Sequence, residues 1–398
     1  MTFKIFIIVC ALILNSDGKH SLKQVVILSR HNLRTPLSKD LTDLTPKPWP
    51  HWREKRGYLT AKGAHLEGLM GRYFSAWLCK EEILHKDCPT EDMFYAYANA
   101  KQRTRASAES FVKNAFPNCD VKVHYEKESD PVFNPVIHNI TTKFMDVALK
   151  QMNKRLDQLS LNNSLLFMEN ILDYKDSEQC RVENKCDLCA DKNSINVAVG
   201  EKPNISGPIK VAKSAIDSFV MSYYEGFPIK DVAWDFIDNN KKWELIMEIS
   251  KGYHDVIFNT TLVARDIAAP LIKYMTDIFT NAEETPRVTL IMGHDANVLT
   301  MLNSMEFKTF TLHKQFEKSP VGGKIVFQKW YDNKSKKNLL KIDYVYQSME
   351  QLRNGLNLSL DKPPQFTQLE LTSCPVDVNG FCLWDDFLLF LKSIVGNN

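Results

Sequence analysis

Three short apolar runs constrain this chain more than any other feature. They are residues 24–29, 93–98 and 288–292, rich in Val, Ile, Leu, Phe and Tyr. None alternates strictly, as expected of strands covered on both faces of a parallel sheet. Each run also ends in a polar cluster. The first leads into Arg30-His31-Asn32-Leu33-Arg34-Thr35-Pro36 and the second into Asn99-Ala100-Lys101-Gln102-Arg103. The third leads into Gly293-His294-Asp295. Ligand sites in open α/β sheets lie beyond the carboxyl ends of the strands. If the three strands are neighbours, the clusters converge on one crevice.

A helical pattern follows each cluster. Residues 60–78 carry Leu66, Leu69, Met70, Tyr73, Phe74 and Trp77 at helical spacing. Residues 104–115 and 296–304 follow the other two clusters. The recurring strand–helix order predicts an α/β fold with a mostly parallel sheet flanked by helices. Residues 120–285 lack clear strands, and 143–159, 210–224 and 243–257 read as amphipathic helices. This segment is expected to be a mainly helical cap, inserted into a core made of 19–119 and 286–398. Near the end, 324–331 and 339–346 flank a polar, lysine-rich turn and predict a hairpin.

The chain's 398 residues carry 50 Lys+Arg against 48 Asp+Glu, a net charge of +2. That balance gives no footprint for nucleic acid or an anionic membrane, so any anion site must be a local cluster. Residues 1–18 read as a secretory signal peptide. Lys4 precedes the apolar run 5–14, and Ser16 and Gly18 stand at small-residue positions before Lys19. That run falls short of the roughly 20 apolar residues of a spanning helix. Cys10 lies inside it, without the small residues of a lipid-anchor site. No stable membrane anchor is expected, and the mature protein is expected to be a monomer or homodimer.

Eight cysteines remain beyond Cys10: Cys79, Cys88, Cys119, Cys180, Cys186, Cys189, Cys374 and Cys382. Secretion makes disulfides the default. Cys180–Cys186 and Cys374–Cys382 are close enough to close local loops, and Cys88 can meet Cys119, but spacing alone does not choose among connectivities. Cys186 and Cys189 form a CxxC with no second ligand pair nearby, so a zinc site is not expected. His51, His65 and His254 read as surface or core residues, and no metal or cofactor is expected.

The clusters suit phosphoryl transfer. Arg30, Arg34 and Arg103 offer planar forks for phosphate oxygens. Fixed cations stabilise a phosphoryl group most as its charge develops. His31, between two arginines, can attack phosphorus and form a phosphohistidine. Nearby cations keep its imidazole neutral. His294 can donate to a phosphate oxygen. Asp295, the one acid in the three clusters, can protonate the leaving alkoxide and then activate water. Gly322-Gly323-Lys324 looks like a phosphate loop but precedes a hairpin strand, so it reads as a turn.

Residues 30–36 resemble the RHGxRxP signature of the histidine acid phosphatases, and His294-Asp295 resembles their HD motif. Asn32 stands where most members carry Gly, as in the glucose-1-phosphatase branch from the bacterial periplasm. The resemblance extends through Tyr95–Asn99 with Gln102-Arg103-Thr104, Phe133–Ile137, Ser206-Gly207-Pro208, Tyr223–Pro228, Gly322–Gln328 and Tyr344–Ser348. It implies the histidine phosphatase (phosphoglycerate-mutase-like) fold, with the site between core and cap. It also implies a periplasmic acid phosphatase acting on glucose 1-phosphate or, in a broader version, on inositol hexakisphosphate. By the same resemblance His31 is the nucleophile, Asp295 the proton donor, and Arg30, Arg34, Arg103 and His294 the phosphate holders. Leu37 matches a pocket-narrowing leucine. At the position of a sugar-binding Glu this chain has Lys202, with Glu201 beside it. Either the loop shifts by one and Glu201 serves, or sugar recognition has changed. The family pairings are Cys88–Cys119, Cys180–Cys186 and Cys374–Cys382, leaving Cys79 and Cys189 to pair with each other or stay free.

Overall fold

The computed structural model describes residues 20–85, 87–281 and 285–396. The expected signal segment and Cys10 lie outside them. The strands are β1 (His20–Arg30), β2 (Phe94–Ala98), β3 (Val123–His124), β4 (Ser194–Asn196), β5 (Asn204–Ser206), β6 (Val288–Gly293), β7 (Lys324–Asp332), β8 (Lys337–Tyr346), β9 (Gln365–Gln368) and β10 (Cys382–Leu383). The helices are α1 (Ala61–Lys80), α2 (Gln102–Ala115), α3 (Thr142–Asp157), α4 (Asn162–Leu172), α5 (Glu178–Glu183), α6 (Pro208–Glu225), α7 (Asn240–Phe258), α8 (Thr261–Thr280), α9 (Asp295–Ser304), α10 (Met349–Asn354) and α11 (Trp384–Gly396).

The main sheet runs β10-β8-β7-β1-β6-β2-β3, with β9 also on β8. Strands β1, β6, β2 and β3 pair in parallel. The β7–β8 hairpin, β9 and β10 pair antiparallel, and β7 joins β1 antiparallel. The fold is therefore α/β with a mixed sheet, and the half that carries the clusters is the parallel one. The first two clusters and the third emerge from strands lying side by side, because β6 sits between β1 and β2.

β1 explains why its sequence does not alternate. Successive side chains point to opposite faces, and both faces are covered. Val25 and Ile27 enter one core with Leu66, Met70 and Phe74 of α1 and Phe111 of α2. Val26 and Leu28 enter a second core with Leu271, Met275 and Phe279 of α8, Val298 of α9 and Phe387 of α11. Truncating an enclosed Phe such as Phe111 to Ala costs about 3–5 kcal/mol.

The segment 120–285 carries α3 to α7 together with pieces the helical reading did not resolve. Strand β3 extends the main sheet, β4 and β5 form a small antiparallel pair, and α8 packs on the sheet. Two- and three-residue strands carry no readable period, and amphipathicity does not say what an apolar face packs against. Disulfides join Cys88–Cys119, Cys180–Cys186 and Cys374–Cys382, and Cys79 and Cys189 are free.

Candidate active site

The crevice is stitched from strand ends by backbone hydrogen bonds. His31 N donates to Gly293 O at 2.9 Å and Asn99 N to Met292 O at 3.1 Å. Arg30 N donates to Gly323 O at 3.0 Å, and Gly322 N to His31 O at 3.1 Å. All three polar clusters therefore meet, with the turn before β7 closing one side.

His31 is 3% exposed. Its ring stands edge-on to that of His294, with centroids 5.4 Å apart. Burial, then Arg103, His294, Arg34 and Arg30, hold its pKa well below the usual imidazole value. The ring is thus neutral. Nδ1 lies 2.8 Å from Asn32 O, which can only accept, so the proton is assigned to Nδ1 and the lone pair to Nε2.

Each arginine is held by a partner. Arg30 Nη1 donates to Glu317 Oε1 at 2.9 Å and to the Ser319 carbonyl. Arg34 makes a two-pronged pair with Asp217 of α6 at 3.0 and 2.8 Å. Arg103 Nη2 lies 3.3 Å from His294 Nδ1. All three arginines keep a buried Nε–H with no protein partner. Buried donors without partners are costly. Such donors fit an anion that completes the set.

His294, expected to donate to a phosphate oxygen, lies between Asn99 and Arg103. Its Nε2 faces Asn99 Oδ1 at 3.0 Å and its Nδ1 faces Arg103. Both ring nitrogens thus have a protein neighbour. Asp295 opens α9, and its Oδ1 accepts from Ala296 N at 2.8 Å. Its Oδ2 lies 4.0 Å from Arg30 Nη2. Burial opposes its ionisation. Arg30, His254, Lys202 and Lys213 outweigh that and hold the carboxyl well below the usual range.

Leu37 is 43% exposed at the rim. Its Cδ2 and Arg103 Nη1 are the atoms nearest the side chain that Gly57 lacks. Glu201 Oε2 accepts from Asn196 Nδ2 at 3.5 Å. Lys202 is the residue that faces the crevice. Its Nζ lies 5.0 Å over the Phe258 ring. Desolvation in the cleft, set against the pull of Asp295, and then Lys213, Lys210 and Arg103 bring its pKa to about 8. With a pKa of about 8 it is charged at neutral and acid pH.

Sequence reasoning missed Asp217, Glu317, Asn99 as a His294 partner, Lys210, Lys213 and His254. Lys210, Lys213 and Asp217 share one face of α6 by their spacing, a signal that was available. His254, set aside as a surface or core residue, lies in the field of Asp295; burial, then Lys213, bring its pKa to about 3. Glu317 sits in a loop with no local signal.

Residues 21–196 match the histidine phosphatase superfamily, branch 2. Over 376 residues the chain is 42% identical to a glucose-1-phosphatase of Salmonella typhimurium, covering 92% of this chain and 91% of that one. It is 42% identical to a glucose-1-phosphatase of Providencia rettgeri over 376 residues, 92% of this chain and 90% of that one. A structure of Hafnia alvei phytase with tartrate superposes with a TM-score of 0.86 at 28% identity, over 95% of this chain and 98% of that chain. The chain belongs to the histidine phosphatase superfamily, branch 2, and has its fold.

Proposed function

We propose that this chain hydrolyses phosphomonoesters through a phosphohistidine on His31, with glucose 1-phosphate as the preferred substrate. The observation that carries the chemistry is a neutral, buried imidazole surrounded by three arginines whose Nε–H groups have no protein partner. Arg30, Arg34 and Arg103 hold the phosphoryl oxygens. His31 Nε2 attacks phosphorus as the ester P–O bond breaks, and Asp295 gives its proton to the leaving oxygen. The Asp295 carboxylate then takes a proton from water, which attacks phosphorus and breaks the P–N bond. Inorganic phosphate leaves and His31 is restored. In the free enzyme Asp295 is ionised. A bound phosphate offsets the cations around it and raises its pKa, so the acid form is built in the complex. His294 steadies Arg103 and reaches phosphate only on leaving Asn99.

The preference for glucose 1-phosphate is supported by the two glucose-1-phosphatases at 42% identity and by Leu37 at the rim. A second reading, broader activity that includes phytate, is favoured by Lys202, Lys210 and Lys213. The Nζ atoms of Lys210 and Lys213 lie 6.0 and 5.4 Å from the Tyr253 ring. These lysines suit a substrate with further anionic groups. The signal-like first segment and three disulfides support export to the periplasm. No described helix is long and apolar enough to cross a membrane. The experiment is phosphate release by purified protein with a chelator present, comparing kcat/KM for glucose 1-phosphate and phytate at acid pH. Preference for the former supports the narrow reading, and equal or reversed values support the broad one. No release by folded protein refutes both.

A further inference from the structure

Beneath the His31 turn lies a buried ion pair that takes no part in the chemistry described. Lys324 opens β7 directly after Gly322-Gly323, and Glu67 lies in α1; both side chains are 0% exposed. Lys324 Nζ donates to Glu67 Oε1 at 2.6 Å, Ser29 Oγ at 2.9 Å and Gly322 O at 3.0 Å. All three ammonium protons are used. The second oxygen of Glu67 accepts from Asn32 Nδ2 at 2.8 Å. Asn32 Oδ1 accepts from Leu33 N at 2.8 Å, and Asn32 N donates to Ser107 Oγ at 3.0 Å.

Asn32 is therefore tied at its amide nitrogen, its side-chain oxygen and its backbone N–H. Its carbonyl is the group that receives the Nδ1 proton of His31. Gly322 has φ +66°, and a Cβ there would collide with Asn32 Nδ2. The Gly-Gly-Lys string thus makes room for the Asn32 amide and supplies the ammonium under it.

A buried ion pair is weak evidence for stability, since apolar replacements often serve as well. This one spends its bonds on the backbone around the nucleophile. We propose that Glu67, seated on Lys324, is a positioning residue: acting through Asn32, it fixes the carbonyl that holds His31 in its Nδ1–H tautomer with the Nε2 lone pair free. This rests on His31 being the nucleophile.

The test separates positioning from packing with two double variants. Glu67→Met with Lys324→Met removes both charges and the acceptor for Asn32. Glu67→Gln with Lys324→Met removes the charges but keeps an acceptor. Phosphoenzyme formation is followed in a single turnover with an aryl phosphate, and inorganic phosphate binding by competitive inhibition. The Met/Met protein should bind phosphate like wild type but phosphorylate about 100-fold more slowly, as a small misplacement costs. The Gln/Met protein should recover most of that rate. Wild-type phosphorylation in the Met/Met protein, or equal slowing in both, overturns the proposal. If either fails to fold, Asn32→Ala keeps the ion pair and cuts the tether. A loss of about tenfold with unchanged phosphate binding then supports the proposal, and a wild-type rate overturns it. His31→Ala runs alongside: turnover surviving in that variant refutes the nucleophile and not the clamp alone.

Discussion

The two walls of the crevice are built on different principles. The core wall carries His31, Arg30, Arg34, Arg103, His294 and Asp295 on strand ends, and its cations are held by Glu317, Asp217 and hydrogen-bonded rings. The other wall, from the β4–β5 segment and α6, carries Lys202, Lys210 and Lys213. Among the described residues none of these three forms an ion pair, and each ammonium rests over an aromatic ring. Fixed charges suit a transition state, whose geometry does not vary with the substrate. Loosely held charges suit the variable remainder of the substrate, at little energetic cost when they are changed. Rate should therefore reside in one wall and preference in the other.

The strongest way to break that division is His31→Ala. Turnover should fall on the order of 10⁴-fold or more while inorganic phosphate still binds the arginines. Substantial residual hydrolysis in steady-state assays would mean that the nucleophile lies elsewhere. Asp295→Asn should cost roughly 10²–10⁴-fold on a sugar phosphate and far less on an activated aryl phosphate, whose leaving group needs no proton. Equal losses on both substrates would remove the leaving-group role.

Asp217 links the walls, since it sits in α6 and grips Arg34, four residues past the end of β1. Asp217→Asn should raise KM about tenfold or more, with a smaller change in kcat. A kcat-only effect would contradict a role through Arg34. Burial opposes its ionisation, but Arg34 and then Lys213 depress the Asp217 pKa far below the ordinary value of about 3.9. A depressed carboxyl keeps its contribution as pH falls, until its folded pKa is reached. The grip on Arg34 thus persists across the acid range.

Lys202→Glu should change rate little and raise the preference for glucose 1-phosphate over phytate by about three- to tenfold. An unchanged ratio would take Lys202 out of substrate choice. The subtlest test concerns pH. The His31 pKa is lowered, so the neutral nucleophile survives as pH falls below the ordinary imidazole value of about 6.5. The acid limb of kcat/KM should lie clearly below that value, and a limb at or above it would contradict the cationic pocket.

The parts of this site legible in the sequence were those written contiguously. Each polar cluster follows its strand without a break, so apolar run and polar tip could be read together. The supports were not legible, because each is remote. Glu317 lies 287 residues from Arg30, Asp217 lies 183 from Arg34, and Lys324 lies 257 from Glu67. Spacing can mark Asp217 as sharing a helix face with Lys210 and Lys213, but no local pattern says which distant arginine it holds. Lys324 was visible only as the end of a turn, because the ion pair that gives it meaning depends on the fold. The choice between Glu201 and Lys202 likewise depended on which way a loop residue points. The resemblance leaves both residues open, and their surroundings, Asn196 beside Glu201 and Phe258 beneath Lys202, exist only in the folded loop.

The position of β1 has a consequence for how the protein forms. Val25 pairs with Val288 on one side and Gln328 on the other. The first strand among the described residues is therefore the centre of the sheet, and both its neighbours come from the last third of the chain. Closing loops of that length is slow compared with local helix formation. A chain stopped before residue 288 would own His31 and the three arginines but no Asp295, with both edges of an apolar strand unpaired. The centre of the sheet cannot close until residues 288–332 have been made. An exported chain that crosses a membrane unfolded would thus acquire its phosphate site as one late event, with no partly active precursor on the way.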